Sequence, residues 1–241
     1  MKRLLDLSLS VVGLVLLSPV LLAFMYLIWR QDRHSPFYIP PRVGLNDVPF
    51  KMVKLRSMII NADKSGVDST GSADARITRV GHMIRRYKLD EFMQLWNVLL
   101  GDMSLVGPRP NVAREVALYT TVERKLLTVK PGITDFSSIV FSDEGEILKD
   151  SKDPDLDYNQ LIRPWKNRLG LFYVEHANLA LDIQLIVLTV IAILSRPRAL
   201  RGVSELLRSY DAPEELVRTA LRDQPLVPTP PPGSDQIVQS R

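Results

Sequence analysis

Cysteine is absent from the 241 residues, which excludes disulfides and thiolate metal centres and fits a reducing compartment. A strong charge of one sign is missing too: 31 basic against 27 acidic residues leave a net charge of +4. A pI of about 9.3 resting on so small an excess suits anionic lipid or phosphate ligands better than nucleic acid. No interleaving of aromatic and basic residues marks a nucleic-acid module. No internal repeat is visible, and the length is that of one domain with a sound core.

What the chain does have is two apolar runs. Residues 4–29 are apolar except for Asp6 and three serines. At about 1.5 Å per residue the run is long enough to cross a hydrocarbon core of roughly 30 Å. Ser18-Pro19 lies inside it, where proline removes a backbone donor and kinks a helix. Arms of roughly 22 and 15 Å on either side are each too short to reach the far leaflet. Lys2 and Arg3 precede the run and Arg30 and Arg33 follow it, so the positive-inside rule assigns both ends to the cytoplasmic side. A re-entrant hairpin satisfies that and a single span does not, although spanning helices also tolerate proline. No small-x-small site follows the run, so a cleaved signal peptide is not expected. The second run, residues 179–194, carries Asp182 and Gln184 and is too short and polar to span. It reads as a core helix or one lying in the interface, with Arg196, Arg198 and Arg201 placed after it to meet anionic headgroups.

The chemistry concentrates in residues 85–110, RRYKLDEFMQLWNVLLGDMSLVGPRP. An adjacent carboxylate pair, Asp90-Glu91, stands between basic residues and a Gly-Pro-Arg-Pro loop. If residues 90–101 are helical, Asp90, Gln94, Asn97 and Gly101 fall within about 40° of one another, with Phe92, Leu95, Trp96 and Leu99 opposite. Met83, Ile84 and Tyr87 would lie off that apolar face, which predicts a break near Leu89 and places Asp90 in a first turn that favours an anion. Neighbouring helical side chains diverge by about 100° and are poorly placed to share a proton. The two acids therefore read as separate actors, balanced by Arg85, Arg86, Lys88 or a divalent metal. One can serve as a nucleophile towards phosphorus or carbon and the other can act on protons or metal; alternatively, the pair is a solvated helix start with an N-capping Asp.

Residues 36–58 read as a β-hairpin turning at RVGLND, with Lys54 and Arg56 side by side on one face of the second strand. Residues 61–75 read as a mobile loop able to close over a substrate. Residues 111–128 read as a helix stopped by Lys130-Pro131-Gly132. Residues 141–164 are acidic and turn-rich; Asp143, Glu144 and Glu146 lack a fixed ligand spacing and read as solvated surface rather than metal ligands. His176 in YVEH reads as a packed or capping residue. Residues 204–223 suggest one or two short amphipathic helices, and the Pro-rich end suggests disorder.

From Asp74 to Pro110 the chain resembles the bacterial sugar transferase family, the monotopic phosphoglycosyl transferases. Lys2-Arg3 before the interrupted apolar stretch, Arg42-Val43-Gly44, KLRSM at 54–58 and KPGIT at 130–134 agree, so the likeness covers residues 1 to about 195. The resemblance implies transfer of a sugar 1-phosphate from a nucleoside diphosphate sugar, with uridine the expected base, to polyprenyl (undecaprenyl) phosphate, initiating glycoconjugate assembly and releasing the nucleoside monophosphate. It implies Asp90 as the nucleophile of a covalent phosphosugar intermediate, Glu91 as its partner, and Mg²⁺ at Asp90 and Glu91. It further implies Lys54 as an active-site contact, with Arg56 on the same strand face a second candidate for substrate or phosphate, and Pro108-Arg109-Pro110 as the loop that holds the nucleotide or its phosphates. The family pattern points to Arg85 and unbroken helical geometry to Arg86; both stay open. Phe92-Met93 stands where the family has Leu-Pro, a change that bears on the helix beside Asp90 without removing a chemical group, and Ile39-Pro40-Pro41 replaces its basic and polar residues before Arg42, a change that bears on the hairpin near the membrane surface.

The expected fold class is α+β: a mostly helical membrane-associated domain with an N-terminal re-entrant hairpin, a small β-hairpin and interfacial amphipathic helices. The expected division is a membrane hairpin at 1–30 that turns at Ser18-Pro19 and is flanked by Lys2 and Arg3, a catalytic domain at 31–200, and an amphipathic helix with a disordered tail at 201–241. Membrane lipids are expected partners on the cytoplasmic face of the bacterial inner membrane, nucleic acid is not, and a homo-oligomer is left open. Competing readings are direct transfer with Asp90 only a metal ligand, a glycosyltransferase that releases nucleoside diphosphate, and a non-catalytic membrane scaffold of a glycan assembly complex.

Overall fold

The computed structural model describes residues 1–65 and 74–239; most of the loop expected at 61–75 lies outside the described residues. The architecture is α+β and mostly helical, with three two-stranded ladders among the described residues.

Helix α1 (Lys2–Asp32) is one helix with Pro19 inside it, where the sequence predicted two arms. Pro19 cannot donate to the carbonyl of Val15, but the Ser18 hydroxyl donates to that oxygen at 2.7 Å, so the lost bond is replaced from the neighbouring side chain. Asp6, Ser10, Leu21 and Ile28 are buried and Leu14, Leu17, Phe24 and Met25 partly so, a stripe at helical spacing that lays α1 along the domain. Full burial of Leu21 and Ile28 contributes about 1.5–3 kcal/mol each. The outer face exposes Val12, Val15, Leu16 and Leu22. Both ends are tied to the same body. Arg3 donates to the carbonyls of Val98 (2.5 Å) and Leu99 (2.9 Å), Lys2 meets Asp182 at 2.7 Å, Asp6 accepts from Ser104 and the Leu105 amide, and Asp32 pairs with Arg56. Lys2 and Arg3, expected as membrane flanks, thus act here as anchors of α1 to the domain.

The hairpin forms as two nested ladders. Strand β1 (Phe37–Tyr38) pairs antiparallel with β4 (Lys54–Leu55), and β2 (Pro41–Val43) with β3 (Pro49–Lys51). The turn between them places Asn46 and Asp47 at positive φ, a conformation these two residue types tolerate better than most.

Helix α2 (Arg79–Arg86) starts at Thr78, whose side chain accepts from the Gly81 amide. The chain breaks at Lys88, at φ 52°, before α3 (Leu89–Phe92) and α4 (Gln94–Leu100), which ends at Gly101 with φ 95°. The break thus falls beside Leu89, as the periodicity predicts, but the polar seam does not face water. Gln94 and Asn97 are buried while Trp96 is exposed. Asn97 is turned inward because it accepts from the Val53 amide (2.8 Å) and donates to the Lys51 carbonyl (2.7 Å), tying the hairpin to α4.

Strand β5 (Ser104–Val106) runs parallel to β6 (Gly132–Thr134), a pairing no sequence pattern announced. The single helix expected at 111–128 is instead α5 (Ala113–Ala117) and a 3-10 turn, Glu123–Thr128. Thr120 and Glu123 hydrogen-bond each other's backbone amides, a capping box that starts a new element within the stretch. Beyond β6 come α6 (Phe136–Val140), α7 (Glu144–Ile147), α8 (Pro154–Asp157), a π turn, α9 (Arg163–His176) and α10 (Leu179–Leu194). His176 stacks on Phe172, as a packed residue would.

Helices α11 (Arg196–Ser209) and α12 (Glu214–Leu221) complete the main core through Val203, Leu207 and Val217. Residues past 200 therefore share the core of the residues before them. The Pro-rich end, expected to be disordered, lies against the domain: the Thr229 amide donates to the Gln160 carbonyl (3.0 Å) and the Thr120 hydroxyl to Pro232 (2.5 Å). Extended proline segments keep their carbonyls free to accept such bonds.

Candidate active site

The carboxylate pair sits in the first turn of α3, immediately after Leu89. Leu89 is buried in the cluster that contains Leu21 and Ile28 of α1, Leu55 of β4 and Ile84 of α2, so the apolar helix packs one residue away from Asp90. Lys54 arrives from β4 and Arg109 from the loop after β5. That loop is shaped by a backbone crossing: Gly107 N–H donates to the Thr134 carbonyl and Gly132 N–H to Pro108, both at 3.0 Å. A Cβ on Gly132 would lie 2.1 Å from the Gly107 nitrogen, so only glycine permits the approach.

These groups line a cleft of about 1010 Å³, at the upper end of the range for small-ligand sites. Asp90, Glu91, Lys54, Arg85, Arg109 and Pro110 all border it. Pro108 packs beneath, against Gly170 of α9. Arg85 donates to Ser57 at 3.0 Å and its charge faces Asp90, whereas Arg86 is exposed with its guanidinium 5.7 Å from the Tyr87 ring; the helix break puts Arg85 beside Asp90. Arg56 borders the cleft, but its guanidinium grips Asp32 through two bonds of 2.6 and 2.7 Å and the Ser35 carbonyl through a third. It fastens the end of α1 next to the strand that carries Lys54. Ser18 and Pro19 lie away from the cleft within α1.

The two acids differ in their surroundings. Glu91 Oε1 accepts from Arg109 Nη2 at 2.7 Å; burial alone would raise its pKa, but Arg109, Lys88 and Lys54 together bring it down to about 2. Asp90 accepts no hydrogen bond from any described residue. Burial raises its pKa above the ordinary value, and Lys54, Arg109 and Arg85 oppose that rise. Burial and the neighbouring Arg109 lower the Lys54 ammonium to about 8, against the pull of both acids. An unpartnered carboxylate facing three cations suits a nucleophile that must meet a phosphate.

Sequence reasoning missed the opposite wall. Lys166 of α9 pairs with Glu144 of α7 at 2.6 Å, and both border the cleft with Tyr158, Arg42 and Ser138. Burial would lower the Lys166 pKa, but Glu144 and Tyr158 raise it above the ordinary lysine value. Glu144 had read as solvated surface; its partner lies 22 positions away, beyond the reach of any local spacing rule. Among the described residues no group of three or more His, Cys, Asp or Glu could cage a metal. Asp90 and Glu91 still offer hard oxygen donors, and Mg²⁺ is commonly held by one or two carboxylates with substrate phosphates completing its shell. The pair fits that form of site.

Comparison with known proteins identifies the family. The chain is 45% identical over 109 residues to a putative undecaprenyl-phosphate N-acetylgalactosaminyl 1-phosphate transferase of Bacillus subtilis, covering 45% of this chain and 61% of that protein. It is 31% identical over 201 residues to the UDP-N-acetylgalactosamine-undecaprenyl-phosphate N-acetylgalactosaminephosphotransferase of Aeromonas hydrophila, covering 80% and 44%. It is 36% identical over 196 residues to an undecaprenyl-phosphate glucose phosphotransferase of Komagataeibacter xylinus, covering 78% and 35%. The chain thus spans about a third to three fifths of the length of these relatives. The profile of the family described as "Bacterial sugar transferase" matches residues 1–196, and with a match over most of its length this chain belongs to the bacterial sugar transferase family.

Proposed function

We propose that the protein transfers a sugar 1-phosphate from a nucleoside diphosphate sugar, a UDP-sugar by analogy with its relatives, to undecaprenyl phosphate, initiating assembly of a glycoconjugate. The observation that carries this reading is the unpartnered Asp90 carboxylate, set among Lys54, Arg85 and Arg109 one residue from the contact with α1.

In the first step an Asp90 oxygen attacks the sugar-bearing phosphorus. The new bond joins that oxygen to phosphorus, the bond to the bridging oxygen breaks, and nucleoside monophosphate leaves. Arg109, held in the cleft by Glu91, and Lys54 offset the charge gathering on the phosphate oxygens. In the second step a polyprenyl phosphate oxygen attacks the same phosphorus and restores the Asp90 carboxylate. Bound Mg²⁺, held at Asp90 and Glu91, would supply further neutralisation of the diphosphate. Splitting the transfer lets a water-soluble donor and a lipid acceptor use one site in turn.

The reading also places the site at a membrane surface. Helix α1 is long and apolar enough to cross a bilayer, but both its ends are fastened to one domain, and most of the apolar stretch between them is left unburied. A helix so tied lies in the cytoplasmic leaflet of the inner membrane with both ends on one side, a monotopic arrangement reached by one continuous helix rather than by a hairpin of two arms.

Intact-mass analysis after incubation with donor alone tests the mechanism. One sugar phosphate should appear on the wild type at Asp90, with release of nucleoside monophosphate, and none on Asp90→Asn. Full turnover without any adduct would favour direct transfer, release of nucleoside diphosphate would favour a plain glycosyltransferase, and undiminished transfer by Asp90→Asn would remove the enzymatic role assigned to this residue.

A further inference from the structure

Away from the cleft, the end of α10 and the start of α11 form a groove of about 400 Å³ that shares no lining residue with the active site. Leu188, Ile191 and Leu194 make its apolar wall, and Arg198 and Arg201 stand over it one helical turn apart. The floor depends on Gly202, where a Cβ would lie 2.5 Å from Leu188 Cδ2. Three arginines follow the apolar helix, but their situations differ. Arg196 is committed to Asp143 at 2.9 Å and to the carbonyl of Val140. Arg198 and Arg201 are exposed and make no ion pair or hydrogen bond with any described residue. Glu205 is the one acid on the groove lining, so the lining carries a net charge of +1.

An apolar wall under two uncommitted guanidiniums calls for a ligand with an anionic head and an apolar tail. The exposed face of α10, with Val187, Val190, Ile193 and Leu194, continues the wall outward, so the tail has an apolar surface to follow. Guanidinium matches phosphate oxygens in fork geometry. We infer that this groove binds the phosphate headgroup of an anionic phospholipid, with an acyl chain along Leu188, Ile191 and Leu194. The inference rests on the membrane reading above, and it makes α10–α11 a second lipid contact, separate from α1 and from the site of chemistry.

The absence of cysteine allows a unique label. Ser195→Cys carrying bimane, in full-length protein in phosphatidylcholine nanodiscs, is quenched by doping with nitroxide-labelled phosphatidylglycerol or, separately, nitroxide-labelled phosphatidylcholine. A net charge of +1 on the lining predicts about five-fold preference for the anionic lipid. The preference should disappear in Arg198→Gln/Arg201→Gln, while sugar-phosphate transfer stays within about two-fold of wild type because the groove lies outside the cleft. Equal quenching by both lipids, retained preference in the double variant, or displacement by inorganic phosphate would overturn the inference and leave the membrane reading standing. Quenching by neither lipid, with the protein failing to hold to the nanodisc, would overturn both.

Discussion

Glu91 and Arg109 are joined by a 2.7 Å hydrogen bond, and that contact divides the work of two adjacent acids. Glu91 holds Arg109 in the cleft through Oε1, leaving its other oxygen for Mg²⁺, and stays ionised far below neutral pH. Asp90 keeps its oxygens free. Glu91→Gln should therefore lower kcat/KM by about 10²–10³, the scale for losing one positioned charge-stabilising group, yet still yield the donor-dependent mass adduct slowly. Loss of the adduct as complete as in Asp90→Asn would show that the roles are not divided.

The pH profile of kcat/KM should be bell-shaped, because the productive free enzyme needs Asp90 ionised and Lys54 protonated. The rate rises with pH as Asp90, whose pKa burial has raised, loses its proton. It falls again as pH passes about 8 and Lys54 deprotonates. Lys54→Arg keeps its charge through that range, so its residual activity should lack the alkaline limb. An unchanged limb at pH 8 would reassign it to another group.

Within α1, Ser18→Ala should destabilise the protein by about 0.5–1.5 kcal/mol, since the Val15 carbonyl loses the hydrogen bond that replaces the missing Pro19 donor. Pro19→Ala restores a backbone donor to that carbonyl. The double variant should then regain most of the loss, and thermal unfolding of the four proteins in one detergent measures the coupling. Additive effects would show that Ser18 does not stand in for the missing N–H.

Gly132→Ala should distort the loop that carries Arg109, because the added methyl cannot fit beside the Gly107 backbone. The expected outcome is a melting temperature several degrees lower, about 1–3 kcal/mol of strain, with transfer activity lost well below that temperature. A variant of wild-type activity would mean the crossing does not position Arg109.

Much of the fold could be read from local pattern. The extents of α10 and the hairpin and the break beside Leu89 follow from runs, turns and periodicity that neighbouring residues carry. Elsewhere a local rule was overruled by a distant partner. Gln94 and Asn97 form a polar seam on a helical wheel, yet Asn97 faces inward because two hairpin backbone groups, more than 40 positions away, need it. Arg56 lies two residues from Lys54 on the same strand, but Asp32 holds it.

By itself the sequence singled out the residues to which the chemistry is assigned and which meet in the cleft: the Asp90-Glu91 pair, the loop around Arg109 and Lys54, with an apolar segment earlier along the chain. Those are choices of residue type and spacing, and they survive in one dimension. Only the tertiary structure decided how the acids divide, that Arg85 faces Asp90, that Lys166 and Glu144 close the opposite wall, and that both ends of α1 fasten to one domain. Each of these depends on groups far apart in sequence meeting within hydrogen-bond or Coulomb range, where burial and neighbouring charge set what a side chain can do.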